Sequence, residues 1–218
     1  KSIDAYREAI RRYPLAKENP KLMASIVEAY YRLRKPDEAT KAQEELVAKF
    51  GPGTRWREAN RDETDVLLEA DKLAENALYT AAVRHHTLAQ KFKEQEQPEQ
   101  ARDEYAKAAV VYTDYLKRFP DSRDNYKLTY YLAECYYYSL DFEKAAETYA
   151  MVRDSTAGDK FLNDSANAVV LARLNMTKEA EKVGQLEALK LYTSKDRPED
   201  RDFSKKEIPE LRKKLILA

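Results

Sequence analysis

Residues 126–153 read YKLTYYLAECYYYSLDFEKAAETYAMVR, and this stretch decides how the rest of the chain is read. Leu132, Ala133 and Tyr136 fall at i, i+1 and i+4. After a tight turn at Leu140-Asp141-Phe142, Ala145, Tyr149 and Val152 fall at i, i+4 and i+7. Each half carries one apolar stripe at helical spacing, which predicts two amphipathic helices folded back on each other. The small residues Ala133 and Ala145 allow close approach, and tyrosines fill the space towards neighbouring hairpins.

The stretch resembles a tetratricopeptide repeat (TPR), whose pattern of ~34 residues has Leu, a small residue, Tyr, Ala, an aromatic and Ala at set offsets. Here those offsets hold Leu132, Ala133, Tyr136, Ala145, Tyr149 and Val152, while Thr129 and Ala157 stand where the pattern has Trp and Pro. The same register recurs outward in both directions. Ile26, Val27 and Tyr30 precede Pro36, Ala39, Gln43 and Leu46; Leu88, Ala89 and Phe92 precede Pro98, Ala101, Tyr105 and Ala108. Ala5 and Ala9 match a second helix over 1–13. Ala168 and Leu171 match a first helix, with a turn at Asn175-Met176-Thr177 and Ala180 opening its partner. The opening alanines 5, 39, 101, 145 and 180 are spaced by 34, 62, 44 and 35 residues. The two excesses fall around a run of 62–95 that lacks Gly and Pro, followed by 98–119, which predicts one over-long hairpin over about 65–119 that projects past its neighbours.

The fold class read from this pattern is all-α, an α-α superhelix of TPR-like hairpins over 1–194, with units at about 1–14, 20–50, 62–119, 124–155 and 159–193. Phe50-Gly51-Pro52-Gly53 is the sharpest boundary. Residues 195–206 read as a charged linker, and 207–218 as a short terminal helix that caps the array or begins another unit. The chain opens at Lys1 inside a repeat, which predicts a fragment of a longer protein.

Composition agrees with a helical array and narrows the chemistry. There are four glycines among 218 residues, 36% are charged, and mean hydropathy is −0.80. Lys plus Arg and Asp plus Glu number 39 each, so no basic excess points to nucleic acid. Cys135 is the single cysteine and reads as a small buried hydrophobe. No apolar run approaches the ~18 residues of a membrane span, and no signal peptide is recognisable. His85 and His86 are adjacent, so on a helix they diverge by about 100° and do not converge on one metal ion. With neither a Gly-rich phosphate loop nor a GxSxG or HExxH motif, the reading is no enzyme, no metal and no cofactor. Trp56 reads as a cover for the end of the preceding hairpin, the alternative being an exposed anchor for a partner.

The resemblance also implies a site. In TPR proteins the first helices line a concave face, and residues turned away from the seam bind an extended peptide or a helix. Carried to this chain, those are Lys21, Glu28, Tyr31 and Arg32; His86, Gln90 and Lys93; and Lys127, Tyr130, Glu134, Tyr137 and Tyr138. Tyrosine gives large contact area at low entropic cost, which singles out the last set, with packing between hairpins as the other use of Tyr130, Tyr137 and Tyr138.

The helix end carried by Tyr112, Tyr115-Leu116, Phe119-Pro120 and Ser122, with the repeat after it, is similar to TPRs of bacterial cell-envelope proteins: periplasmic Tol–Pal coordinators and the lipoprotein of the outer-membrane β-barrel assembly machine. That resemblance implies a periplasmic or outer-membrane-attached adaptor, with a cytoplasmic location as the alternative. The expected function is a non-enzymatic scaffold that binds a protein or peptide. The alternative is a structural module that self-associates or packs through the long hairpin inside a larger machine, such as one for motility or secretion.

Overall fold

The computed structural model describes residues 2–188 and 207–218. The described residues form ten helices: α1 Ser2–Arg12, α2 Asn19–Arg32, α3 Pro36–Phe50, α4 Arg55–Ala59, α5 Thr64–Glu94, α6 Pro98–Arg118, α7 Asn125–Tyr138, α8 Phe142–Arg153, α9 Leu162–Lys182 and α10 Glu210–Ile216. They divide into two compact units, Lys1–Asn125 and Tyr126–Ala218. The charged segment 195–206 lies outside the described residues, as do residues 189–193 of the expected last unit.

Three hairpins, α2–α3, α5–α6 and α7–α8, share one joint down to the atom. In each, the residue five before the opening alanine has a positive φ: Arg34 at 55°, Glu96 at 55° and Leu140 at 70°. The next amide donates to a carbonyl five residues back, Lys35 to Tyr30, Gln97 to Phe92 and Asp141 to Tyr136. This left-handed cap satisfies carbonyls that the helix end leaves without partners. Ala39, Ala101 and Ala145 are then each the fourth residue of the second helix and are buried against its partner. Ala5 occupies the same place in α1 but is exposed.

The over-long hairpin is present, and its extra length is put to two uses. Towards its N-terminus, α5 lies along α2 and α3 and is tied to them by Lys21–Glu69 at 2.8 Å and by Arg84 to Asp37 at 2.5 Å. Arg57 of α4 clamps Asp71 through two bonds of 2.6 and 2.9 Å. Beyond Arg84 the hairpin continues as a tip; the eleven residues to its joint at Gln95 rise about 16 Å. So α5 exceeds α6 by ten residues, and only the tip end projects past α2 and α3.

The last unit departs from the expected register. No turn forms at Asn175-Met176-Thr177, and α9 runs unbroken to Lys182. Nothing in those three residues breaks a helix, and the Thr177 hydroxyl donates to the Arg173 carbonyl one turn back. The joint is instead at Gly184, with φ 76°, and the Gln185 amide donates to Ala180. Ala180 is therefore the counterpart of Tyr136, not of Ala145, and Leu171 is half exposed rather than packed in the seam. The joints at Glu96, Leu140 and Gly184 are thus 44 residues apart in each step. α10 packs on α9 in the opposite direction: Arg212 bonds Glu181 near the end of α9, whereas Ala218, at the other end, meets Arg153 and the cluster containing Val169 and Ala172.

Candidate binding groove

In the unit Lys1–Asn125 the first helices α2 and α5 stand side by side and point the same way. Ala24, Val27, Glu28 and Tyr31 of α2 face Leu73, Asn76, Ala77 and Thr80 of α5 across a cavity of about 300 Å³. Gln43 and Leu46 of α3 form its floor. Helical periodicity explains the two walls, because residues three, four and seven apart share a face. The walls are mostly apolar, and polarity comes from Glu28, Tyr31, Asn76 and Thr80, with Gln43 on the floor. The Glu28 carboxylate pairs with Arg32 at 2.5 Å, the Tyr31 hydroxyl reaches the Gln43 side-chain oxygen at 3.5 Å, and the Asn76 amide is exposed.

Of the residues expected to bind, Glu28 and Tyr31 line this groove, whereas Lys21 and Arg32 do not and are instead exposed in ion pairs with Glu69 and Glu28. His86 does not belong there. It is buried in the seam between α5 and α6, its Nδ1 3.3 Å from the Tyr112 hydroxyl and its ring edge-on to Tyr105 and Tyr112. Burial alone pushes its pKa down to about 4. His85, one residue earlier, turns to a different partner, with Nδ1 2.6 Å from Glu104. Burial pushes the Glu104 carboxyl up, but His85 and Lys107 overcome this and hold it below the usual range. Gln90 is exposed one turn on, 3.4 Å from His86 Nε2, and Lys93 is exposed in the last turn of α5. Both belong to the hairpin tip.

In the unit Tyr126–Ala218, α7 and α9 are likewise neighbouring parallel first helices. Tyr130 stacks on Phe161 just before α9, with centroids 4.2 Å apart and planes 9° apart, while Tyr137 accepts a bond of 2.9 Å from the Asn175 amide further along α9. Tyr130 and Tyr137 are therefore half-buried packing residues of the α7–α9 contact. Burial, with Glu134 and Asp164 nearby, pushes the Tyr130 hydroxyl up to about 12. Lys127, Glu134 and Tyr138 lie on an adjacent stripe of α7 at spacings of seven and four, and are also half-buried. Tyr131 shares that stripe. Cys135 is fully buried, and burial pushes its thiol well up.

Several groove residues escaped the sequence reading. Leu73, Asn76 and Thr80 repeat at three and four residues in α5, but that stretch read as a hairpin extension rather than as a wall opposite α2. On α9, Val170 and Leu171 are exposed on the side away from the buried Val169 and Ala172.

No described helix is long and apolar enough to cross a membrane. No curated protein matches the chain. Residues 129–155, which span most of α7, its joint and α8, match the family model described as Tetratricopeptide repeat. The hairpin of α7 and α8 is thereby identified as a tetratricopeptide repeat, a family of modules for protein–protein contact.

Proposed function

We propose that this protein is a scaffold that holds an extended or helical segment of a partner protein along its first helices, with the α2–α5 groove as the principal contact. The observation that carries this reading is the groove itself: apolar walls from two parallel first helices, with Tyr31, Glu28 and Asn76 placed to orient a backbone. Ligand sites of this kind are largely apolar with a few polar groups that set orientation. A tyrosine at the edge supplies contact area with little entropy to lose.

A photo-crosslinking residue at Thr80 should capture the partner from cells, and Tyr31→Ser with Asn76→Asp should abolish capture while thermal unfolding is unchanged. Capture that survives the double substitution would remove the groove from consideration. A second reading is favoured by the tip beyond Arg84, whose exposed Gln90 and Lys93 suit self-association within a larger assembly. Sedimentation separates the two, since a tip-mediated dimer dissociates when the tip is recharged at Lys93 and Gln90, whereas groove binding is untouched. The envelope location rests on the helix end at Tyr112–Ser122. Tyr115 there donates to Glu75 and meets the Ser122 hydroxyl, both at 2.8 Å. Fractionation of cells expressing the full-length protein tests that location, and recovery in the cytosol would exclude it.

A further inference from the structure

A larger cavity lies on the other side of the same unit, away from the α2–α5 groove. The second helices α1 and α3 run parallel, tied by Arg7 to Glu45 at 3.1 Å. Where their C-terminal ends meet α4 they enclose a cleft of about 600 Å³. Its floor is apolar and firmly held. Trp56 is 2% exposed, donates its ring N–H to the Ala16 carbonyl at 2.7 Å, and sits edge-on to Phe50 at 5.4 Å. Ile10 and Met23 complete the floor.

The rim has one sign of charge. Arg7, Arg11, Lys49 and Arg55 line the cleft, and no acidic residue does. The carboxylates that answer three of these cations, Glu45 for Arg7 and Lys49 and Glu8 for Arg11, lie outside the lining. Arg55 is exposed and makes no ion pair among the described residues. In a chain of zero net charge this local excess of cations over an apolar floor is not a compositional accident of a basic protein.

We propose that this cleft is a second docking site, for an acidic segment of a partner protein that inserts one large apolar side chain between flanking carboxylates. The volume falls in the range of sites that enclose one such side chain with its neighbours. The guanidinium of Arg55 offers paired donors that match a carboxylate, while Arg11, whose Nε and Nη2 are held by Glu8 at 2.8 Å, must exchange that partner to do the same. Because Trp56 is already fixed by Ala16 and Phe50, little ordering is needed on binding. The floor residue is also the only tryptophan, so occupancy changes its emission.

The probe is a synthetic peptide with one central phenylalanine flanked on both sides by glutamates, titrated into the whole protein while Trp56 emission is followed. Saturable binding is expected, weakening about tenfold or more as salt rises from about 50 to about 500 mM. The same peptide with lysine flanks should not bind. Arg11→Ser with Arg55→Ser should weaken binding by about tenfold or more without shifting thermal unfolding, and Tyr31→Ser in the other groove should leave it unchanged. The proposal is overturned if the glutamate peptide gives no change in emission up to about 1 mM, if both peptides bind alike, or if the double substitution binds as the parent does. The wild-type comparison of the two peptides decides the matter even where a variant fails to fold. Loss of binding in Tyr31→Ser would instead assign the peptide to the α2–α5 groove and equally overturn the cleft.

Discussion

At the scale of single residues, the joint between helices makes the sharpest demands. A side chain in the left-handed region crowds its own carbonyl, at a cost of roughly 1–2 kcal/mol. Arg34, Glu96 and Leu140 bear that cost, and Gly184 avoids it. Glu96→Gly should therefore raise stability by about 0.5–1 kcal/mol, read as the midpoint of urea unfolding, with flexibility of the unfolded chain offsetting part of the gain. Gly184→Ala should lower it by about 1 kcal/mol through strain alone, because a Cβ there meets open space. His86 makes a second demand. In the unfolded chain it protonates near 6.5, whereas burial holds it at about 4 in the fold, so the fold favours the neutral ring. The stabilisation is complete above pH 6.5 and is lost as pH falls towards 4, at most about 3 kcal/mol. A pH series of thermal midpoints should show this decline, and His86→Leu should flatten it; an unchanged slope in the variant would place the titration elsewhere.

At the scale of elements, packing and sequence pattern agree where the repeat is regular and part where a helix is long. The α7–α8 hairpin was legible because small residues, Ala133 and Ala145, mark the closest approach and both are fully buried. Pro36 and Pro98 open α3 and α6 as expected, since a first-turn proline gives up an amide that has no helical partner. The α9 register was missed because alanine spacing was followed instead of the residue that ends a helix. Gly184, whose freedom at positive φ suits a left-handed joint, is that residue, and it ends a first helix. The candidate site divides the same way. Glu28 and Tyr31 were found from their offset on α2, but no periodicity in one helix reveals that a residue such as His86 or Tyr130 turns towards the next helix rather than towards solvent. The stacked pair Tyr130–Phe161 belongs at this scale. Tyr130→Ala removes a half-buried ring from between Tyr149 and Phe161, and should cost about 2–4 kcal/mol, seen as earlier unfolding of the Tyr126–Ala218 unit by hydrogen exchange. Protection unchanged in α7 and α9 would show the contact to be incidental.

At the scale of the whole molecule, the chain carries 39 charges of each sign, and many ion pairs among the described residues are exposed, such as Arg32 with Glu28 and Arg61 with Glu58. Pairs of this kind contribute little each and are screened by salt. Stability in urea should accordingly vary by less than about 1 kcal/mol as salt is raised to about 0.5 M, whereas peptide binding at the Arg11–Arg55 rim should weaken steeply. Opposite responses of the two measurements would separate the structural charges from those set aside for a partner. Equal responses would mean that the rim is part of the same structural network. The recurring joint has a consequence for building with this chain. Because Arg34, Glu96 and Leu140 sit in one backbone geometry at one distance from the alanine that follows, the connectors are interchangeable parts. Transplanting the four residues 139–142 into 95–98 should yield a chimera with unaltered helical content, and a splice made at this seam can lengthen or shorten the array without redesigning either flank.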